Sequence, residues 1–465
     1  SPAYVKDKLK DHSSLYSTVK VIDDDGLLPK GKFQDQIALI NLIKSCAKEK
    51  NIWKARAIHA DILKDKLLAK DVYIANTLMT TYFKCGASED AHKVFEQIPI
   101  QNVVSWNALI SGYAKHGHDD EALKCFRQMQ DEGISSDTVT FTCILKVCGI
   151  VGSLEIGEEV HALVKKQGLM VKNIVVGTAL MDMYAKCGML NKAQEVFEEL
   201  PVKDVMCWNL LLAGYAQHGH SDKVIKYFEK MKEEDDVHPD AVTFSCVLKA
   251  CGATRSLLMG KTIHSEVRKR GLLATNLILG TALMDMYAKC GLLEKAHEVF
   301  QELLVRDSVS WNALVAAYAQ HGCSDDALKC YGKMQGEGIA PDEVTFTCIL
   351  NVCGIVGSLE MGEDIHVEVE KQGLLGKNIL LGTALVDMYA KCGAMGKAQE
   401  VFNELSQCDV VTWNALMAGY GQLVHARKVL NLPVKMRAYG IMPDSATFLI
   451  LLNACSHAGL VEEGQ

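Results

Sequence analysis

The chain has 465 residues, 49% of them apolar and 23% charged, with eight prolines and no low-complexity tract, so order is expected along nearly its whole length. A formal net charge of −8 excludes an indiscriminately basic nucleic-acid-binding surface and confines any phosphate contact to a local stripe. No apolar run reaches the roughly 18 residues of a membrane span. Seventeen cysteines without one C-x-x-C pair read as small buried hydrophobes in a reducing compartment, not as a disulfide or metal framework.

Residues 1–35 are expected to form a lead segment; Asp23, Asp24 and Asp25 set it apart from the Arg-rich, acid-poor composition of a transit peptide, and a first residue of Ser instead of Met is expected of either a processed start or an arbitrary boundary of the stretch. From residue 36 onward the sequence repeats. "GTALMDMYAKCG" fills 177–188 and 280–291 and returns as "GTALVDMYAKCG" at 382–393, separations of 103 and 102 residues. Fixed-period self-similarity marks a repeat architecture, and 465 residues are too many for one compact core. The period divides into stretches of 35, 36 and 31 residues, as in 103–137, 138–173 and 174–204. Counting outward predicts units at 36–71, 72–102, 103–137, 138–173, 174–204, 205–240, 241–276, 277–307, 308–342, 343–378, 379–409 and 410–444, with a partial thirteenth at 445–465.

Each unit has one internal plan. An apolar-periodic stretch ends at a glycine such as Gly117 or Gly188, suited to a left-handed helix cap. A second stretch then places Ala and an aromatic four residues apart, as in Ala122 with Phe126 and Ala193 with Phe197, on one helical face. Each unit is therefore a predicted helical hairpin. Ser88, Ser221 and Ser324, followed by acidic residues, are the expected N-caps of second helices.

The alternation of lengths, together with "VVSWNALISGYAKHG", "TVTFTCILKVCG" and "GTALMDMYAKCG" opening the three types, resembles the plant organelle pentatricopeptide repeat family in its P, L and S triplet subclass, the units of 103–137, 138–173 and 174–204 corresponding to P, L and S in turn. The resemblance covers about residues 36 to 465. The tetratricopeptide repeat, a protein-binding hairpin, shares the A-x-x-x-F element, but its W-x-x-L-G signature is absent. Trp106, Trp208, Trp311 and Trp413 instead all stand fourth in the P type. The implied fold is an all-α, right-handed solenoid superhelix whose first helices line a concave side.

The resemblance further implies single-stranded RNA as ligand, one base per unit, chosen by the fifth and last residues of that unit. In P units these are Asn107 with Asp137, Asn209 with Asp240, Asn312 with Asp342 and Asn414 with Asp444, a combination that implies uridine. Thr178 with Asp204, Thr281 with Asp307 and Thr383 with Asp409 in S units imply guanosine, and Asn76 with Asn102 a pyrimidine. Thr142 with Asn173, Ser245 with Asn276 and Thr347 with Asn378 in the L units correspond to adenosine, and Ile40 with Asp71 lies outside the code. Asn and Thr in a first helical turn have little support from helix propensity, whereas the terminal Asp or Asn also suits an N-cap.

Second residues are nearly all apolar: Tyr73, Val104, Val139, Val175, Met206, Val242, Ile278, Val309, Val344, Leu380 and Val411. The resemblance implies that they wedge between bases; burial in the core is the alternative. Lys84, Lys186, Lys289 and Lys391, thirteenth in S units, and Lys115 in a P unit are expected to form the basic stripe for phosphates.

Catalytic motifs fail on spacing. His264 with Glu266 and His366 with Glu368 match the H-x-E of zinc deaminases, but the P-C-x-x-C is missing, and His59 and His161 hold the same unit position without the Glu. No cofactor or metal is implied. "SATFLILLNACSHAGLVEEGQ" resembles the last L unit of editing-type members, whose cytidine deaminase domain follows further on. The chain is thus expected to be the RNA-recognition tract of a C-to-U editing factor without its catalytic end. Editing-complex accessory proteins are the further implied partners; a monomer in a plant organelle, mitochondrion before chloroplast, is expected. Organelle splicing or transcript stability, and a tetratricopeptide-like scaffold for proteins, are the competing functions. In the 410–444 unit, Leu423 and Val424 replace the usual His-Gly turn, and Pro433 is expected to distort the second helix and misalign Asn414 and Asp444.

Overall fold

The computed structural model describes residues 36–458 apart from 65–67, 69–70, 235, 275, 377 and 423–425. Among the described residues all regular structure is helical. Helices come in pairs on the repeat: Val103–Lys115 with Asp119–Asp131, Thr138–Val151 with Leu154–Lys166, and Ile174–Lys186 with Leu190–Glu199. A one-turn helix, Leu169–Lys172, follows the pair in the 138–173 interval and has no counterpart in the periodicity.

The chain divides into two compact bodies, residues 1–202 and 203–465. Within each body a first helix packs on its own second helix and on the first helix of the next hairpin. Most turns between paired helices are made by glycine in the left-handed region, with φ of 74° at Gly117 and 75° at Gly188, a conformation that a Cβ disfavours; Lys50 and Arg255 take the same conformation at two of the turns. Ala122 and Phe126 then point from the second helix into the hairpin and are fully buried.

The left-handed glycine and the residue after it complete the turn, which moves the serines one place inside the second helix. Ser88, Ser221 and Ser324 are first helical residues; the cap positions belong to Ala87, His220 and Cys323, none of which makes a side-chain capping bond. The expected serine caps are therefore replaced by charge: Glu89, Asp90, Asp222, Asp325 and Asp326 occupy first turns, where carboxylates complement the helix dipole.

Pro433 does not break its helix, which runs without interruption over Ala426–Ala438. Proline removes one hydrogen bond there, but packing of this helix against both of its neighbours holds the remaining turns. Leu423 and Val424 lie outside the described residues.

Aromatic contacts explain several repeated letters. The Phe of an S-unit second helix meets the fourth-place Trp of the following P unit edge-on, with ring centroids 4.5 Å apart for Phe95 and Trp106, 4.5 Å for Phe300 and Trp311, and 4.8 Å for Phe402 and Trp413. His161, His264 and His366 join their Nδ1 to the hydroxyls of Tyr184, Tyr287 and Tyr389 at 2.8, 2.8 and 2.9 Å, and His59 joins Tyr82 at 3.1 Å. This histidine therefore ties an L hairpin to the S unit after it.

The cysteines serve packing. All seventeen are free thiols. Cys148, Cys251 and Cys353 are fully buried, and burial pushes their thiols up to about 12, 11 and 11, far from a reactive thiolate. Cys187 and Cys392 direct Sγ to the carbonyls of Cys148 and Cys353 at 3.8 and 3.7 Å, linking successive first helices.

Candidate nucleic-acid interface

The last residue of a unit adopts extended backbone and caps the next first helix. Asp137 Oδ1 accepts from the backbone N–H of Val139 and Thr140, both at 3.0 Å, and Asp342 Oδ1 from Val344 and Thr345, both at 3.0 Å. Asn102, Asn173, Asp204, Asp240, Asn276, Asp307, Asn378, Asp409 and Asp444 accept in the same way from residues two or three further on. Capping satisfies N–H groups that a helix start leaves without partners and so fixes the carboxylate or amide in space.

In the P units the fifth residue is held by that cap. Asn107 Nδ2 donates to Asp137 Oδ1 at 2.9 Å, and Asn414 Nδ2 to Asp444 Oδ1 at 3.1 Å. Asn209 donates to both oxygens of Asp240 at 3.0 and 3.1 Å, and Asn312 to both of Asp342 at 2.8 and 3.0 Å. The Asn414 pair makes the same single bond as the Asn107 pair, contrary to the misalignment expected from Pro433.

The asparagine amide is held at its other end by a threonine that sequence reasoning overlooked. Thr140, Thr243, Thr345 and Thr447, each third in the following unit and fully buried, donate Oγ1 to Oδ1 of Asn107, Asn209, Asn312 and Asn414 at 2.6, 2.6, 2.5 and 2.7 Å. Its identical register after every P unit was the available signal. Partial burial alone would raise the carboxyls of Asp137, Asp240 and Asp342. The backbone N–H of Thr140, Thr243 and Thr345 and the asparagine amides outweigh it, so all three are held below the usual carboxylate range.

The S and L units differ. Thr178 and Thr281 donate their hydroxyls to the carbonyls of Val175 and Ile278 on their own helices, both at 2.9 Å. Thr383 instead meets the Thr412 hydroxyl at 2.6 Å, and Thr412 bonds Asp409 Oδ1 at 2.8 Å. In the L units Thr142, Ser245 and Thr347 donate to the carbonyls of Thr138, Ala241 and Glu343, four residues back. The third residues that follow them, Val176, Leu279 and Leu381, are buried and apolar and have no hydroxyl to offer.

The second residues are surface groups, which removes the core alternative. Tyr73, Val104, Val139, Val175, Met206, Val242, Ile278, Val309, Val344, Leu380 and Val411 are 51–72% exposed, each three places before a half-buried or buried polar residue. Within each body, exposed apolar side chains repeated at one place per hairpin have no core role, which is what an interface leaves on a surface.

The expected basic stripe is uneven. Lys186, Lys289 and Lys391 each place Nζ 2.6–2.7 Å from an Asp four residues earlier on the same helix, Asp182, Asp285 and Asp387. Each pair is close to neutral, so these lysines are not the free cations that spacing suggested. Lys84 lies with Lys44, Lys48, Tyr73, Asn76 and Thr80 around an open pocket of about 420 Å³, and Lys115 with Lys146 around a smaller one.

The H-x-E residues do not gather. Glu266 pairs with Arg270 and Glu368 with Lys371, while His264 and His366 face tyrosines, and among the described residues no group of three His, Cys, Asp or Glu side chains could hold a metal.

Comparison with known proteins gives one answer. A model of the PPR repeat family matches residues 101–149, 203–253, 306–354 and 408–457, and a PPR repeat model matches 73–102, 178–205, 281–308 and 383–410. The mitochondrial pentatricopeptide repeat-containing protein At2g03380 of Arabidopsis thaliana is 32% identical over 450 residues, covering 96% of this chain and 64% of the relative. The chloroplastic protein At4g35130 of the same plant is 37% identical over 423 residues, covering 91% and 52%. The chain spans about half to two-thirds of the length of these curated relatives. The crystal structure of the pentatricopeptide repeat protein PPR10 from maize superposes with a TM-score of 0.73 at 19% identity, covering 97% of this chain and 65% of that one. A structure of PPR10 in complex with an 18-nt psaJ RNA element gives 0.72 at 18% identity, covering 97% and 69%. With matched repeats spread over most of its length, the chain belongs to the pentatricopeptide repeat family.

Proposed function

We propose that this chain binds single-stranded RNA with one base per hairpin and, within a longer protein, designates a cytidine for C-to-U editing in a plant organelle transcript. The observation that carries the reading is the repeated juxtaposition of a hydrogen-bonded Asn–Asp pair with an exposed apolar residue three places earlier. PPR10 in complex with an RNA element supports the ligand class, and the mitochondrial and chloroplastic relatives support the compartment.

In each P unit one Nδ2 proton of the asparagine is engaged by the carboxylate and the other remains for a base. Uracil presents an acceptor at O4, whereas cytosine presents an amino donor at the same place, so a fixed N–H favours uracil. Tyr73, Val104, Val139 and their equivalents stack against base faces. The RNA runs 5′ to 3′ from the N-terminal units, with the order Y-U-A-G-U-A-G-U-A-G-U. The PLS arrangement and the editing role rest on the wording of the repeats and on the L-type stretch at 445–465.

Competition binding tests the reading. The RNA above competes at least tenfold better than one with every U and G exchanged, since several contacts of about 1 to 3 kcal/mol add. Equal competition refutes it. Thr281→Asn moves the preference of one position from G toward U and leaves the others in place.

A further inference from the structure

We infer that the third residue of each unit sets how sharply the preceding unit discriminates its base: threonine there locks the reading side chain, and serine leaves it loose. The inference rests on the base-reading function proposed above. Its evidence is a difference in which unit one buried hydroxyl bonds.

Seven of these third residues carry hydroxyls, and all seven are fully buried: Ser105, Thr140, Thr243, Ser310, Thr345, Thr412 and Thr447. The two serines turn inward. Ser105 Oγ donates to the carbonyl of its own cap residue Asn102, and Ser310 Oγ to that of Asp307, both at 2.8 Å. Each also accepts the cap N–H, at 2.9 and 3.0 Å, closing a reciprocal box that is complete within one helix end. The five threonines accept a cap N–H or bond the cap carboxylate and also bond across to the preceding unit: Thr140, Thr243, Thr345 and Thr447 donate to Asn107, Asn209, Asn312 and Asn414, whereas Thr412 donates to Asp409 and accepts the hydroxyl of Thr383.

The reading residues respond accordingly. Where threonine follows, the asparagine amide is fixed at both ends, Nδ2 on the carboxylate and Oδ1 on the hydroxyl, and cannot rotate by half a turn without facing like with like. Where serine follows, Asn76 is left with Oδ1 buried and without a hydrogen-bond partner, and Thr281 folds its hydroxyl back onto Ile278. Thr281 and Thr383 carry the same code letters with Asp307 and Asp409, yet only Thr383, followed by Thr412, is tied across the interface. Units with the same fifth and last residues are therefore built differently, and the cause lies in the next unit.

The experiment measures affinities of the full chain for four RNAs that differ only in the base opposite one unit, for each of three units. Thr345→Ser lowers the U-over-C ratio opposite the 308–342 unit about three- to tenfold, the worth of one net hydrogen bond. Thr412→Ser lowers the G preference opposite 379–409, and Ser310→Thr raises it opposite 277–307, by similar factors. Ratios at all other positions and the melting temperature stay within error, because either hydroxyl completes the cap. If the unaltered chain prefers particular bases but these ratios do not move, the inference is overturned and base reading stands. A uniform loss of affinity for all four bases, or a lowered melting temperature, also overturns it by assigning the threonine a structural role. No base preference at any position in the unaltered chain removes the base-reading function and this inference with it.

Discussion

Neutralising Asp182, Asp285 and Asp387 should convert three ion-paired lysines into phosphate contacts. Each aspartate sits 2.6–2.7 Å from the ammonium of Lys186, Lys289 or Lys391, and all six side chains are 25–43% exposed. Exposed pairs of this kind stabilise a helix by about 0.3–0.5 kcal/mol, so Asp→Asn costs little in folding. Its effect on RNA is larger. A carboxylate held roughly 6 Å from a phosphate is repelled by about 0.7 kcal/mol in water, or about 2 kcal/mol for three, which is close to thirtyfold in affinity. Screening with a Debye length of about 10 Å at 0.1 M salt roughly halves that energy. Each lysine released to a phosphate also steepens the plot of log affinity against log salt by about 0.7, so the triple variant gains a slope of about 2. Fluorescence anisotropy with one RNA across a salt series reads both quantities. A triple Asp→Asn variant with unchanged affinity and unchanged slope would falsify the assignment of these lysines to the RNA face.

Two further outcomes concern the scaffold. A Cβ at Gly112 would lie 2.2 Å from the buried Phe83 ring, which is itself packed edge-on against Tyr113; Gly112→Ala should destabilise by about 1 to 3 kcal/mol against a helix-propensity gain of about 1, whereas Gly332→Ala meets no atom within 4 Å and should stabilise by about that 1 kcal/mol in urea unfolding. Burial holds His59, His161, His264 and His297 below the usual imidazole range, so the fold binds them neutral; that stability is complete above about pH 6.5 and is lost as pH falls through the lower folded values. Melting temperature should therefore be flat from pH 8 to 7 and drop toward pH 5, and a His161→Gln, His264→Gln variant should show a shallower drop.

Much of the architecture was legible because a helical hairpin is a local object. Glycine at the left-handed turn and the Ala–Phe spacing depend on neighbours within one unit, so their letters carry the conformation directly. The serine caps failed at the same scale: Ser88, Ser221 and Ser324 are good capping residues, but the turn geometry, not the residue type, decides which position is outside the helix. Pro433 misled because propensity was weighed without the packing on either side of it.

What the sequence alone determined about this protein is its period, its helical hairpins and the identity of the residues at the fifth and last places, since each follows from short-range spacing. Tertiary structure decided what those residues touch. Asn312 and Asp342 are thirty positions apart and meet only because two hairpins stack, and Thr345 reaches Asn312 for the same reason. Three of the five lysines that looked like free cations are paired, and Thr281 and Thr383, which share the same fifth-and-last combination with Asp307 and Asp409, are set apart by Ser310 and Thr412. A hydrogen bond needs two groups within about 3 Å in three dimensions, and sequence spacing specifies that distance within a helix but not between the hairpins that build this surface.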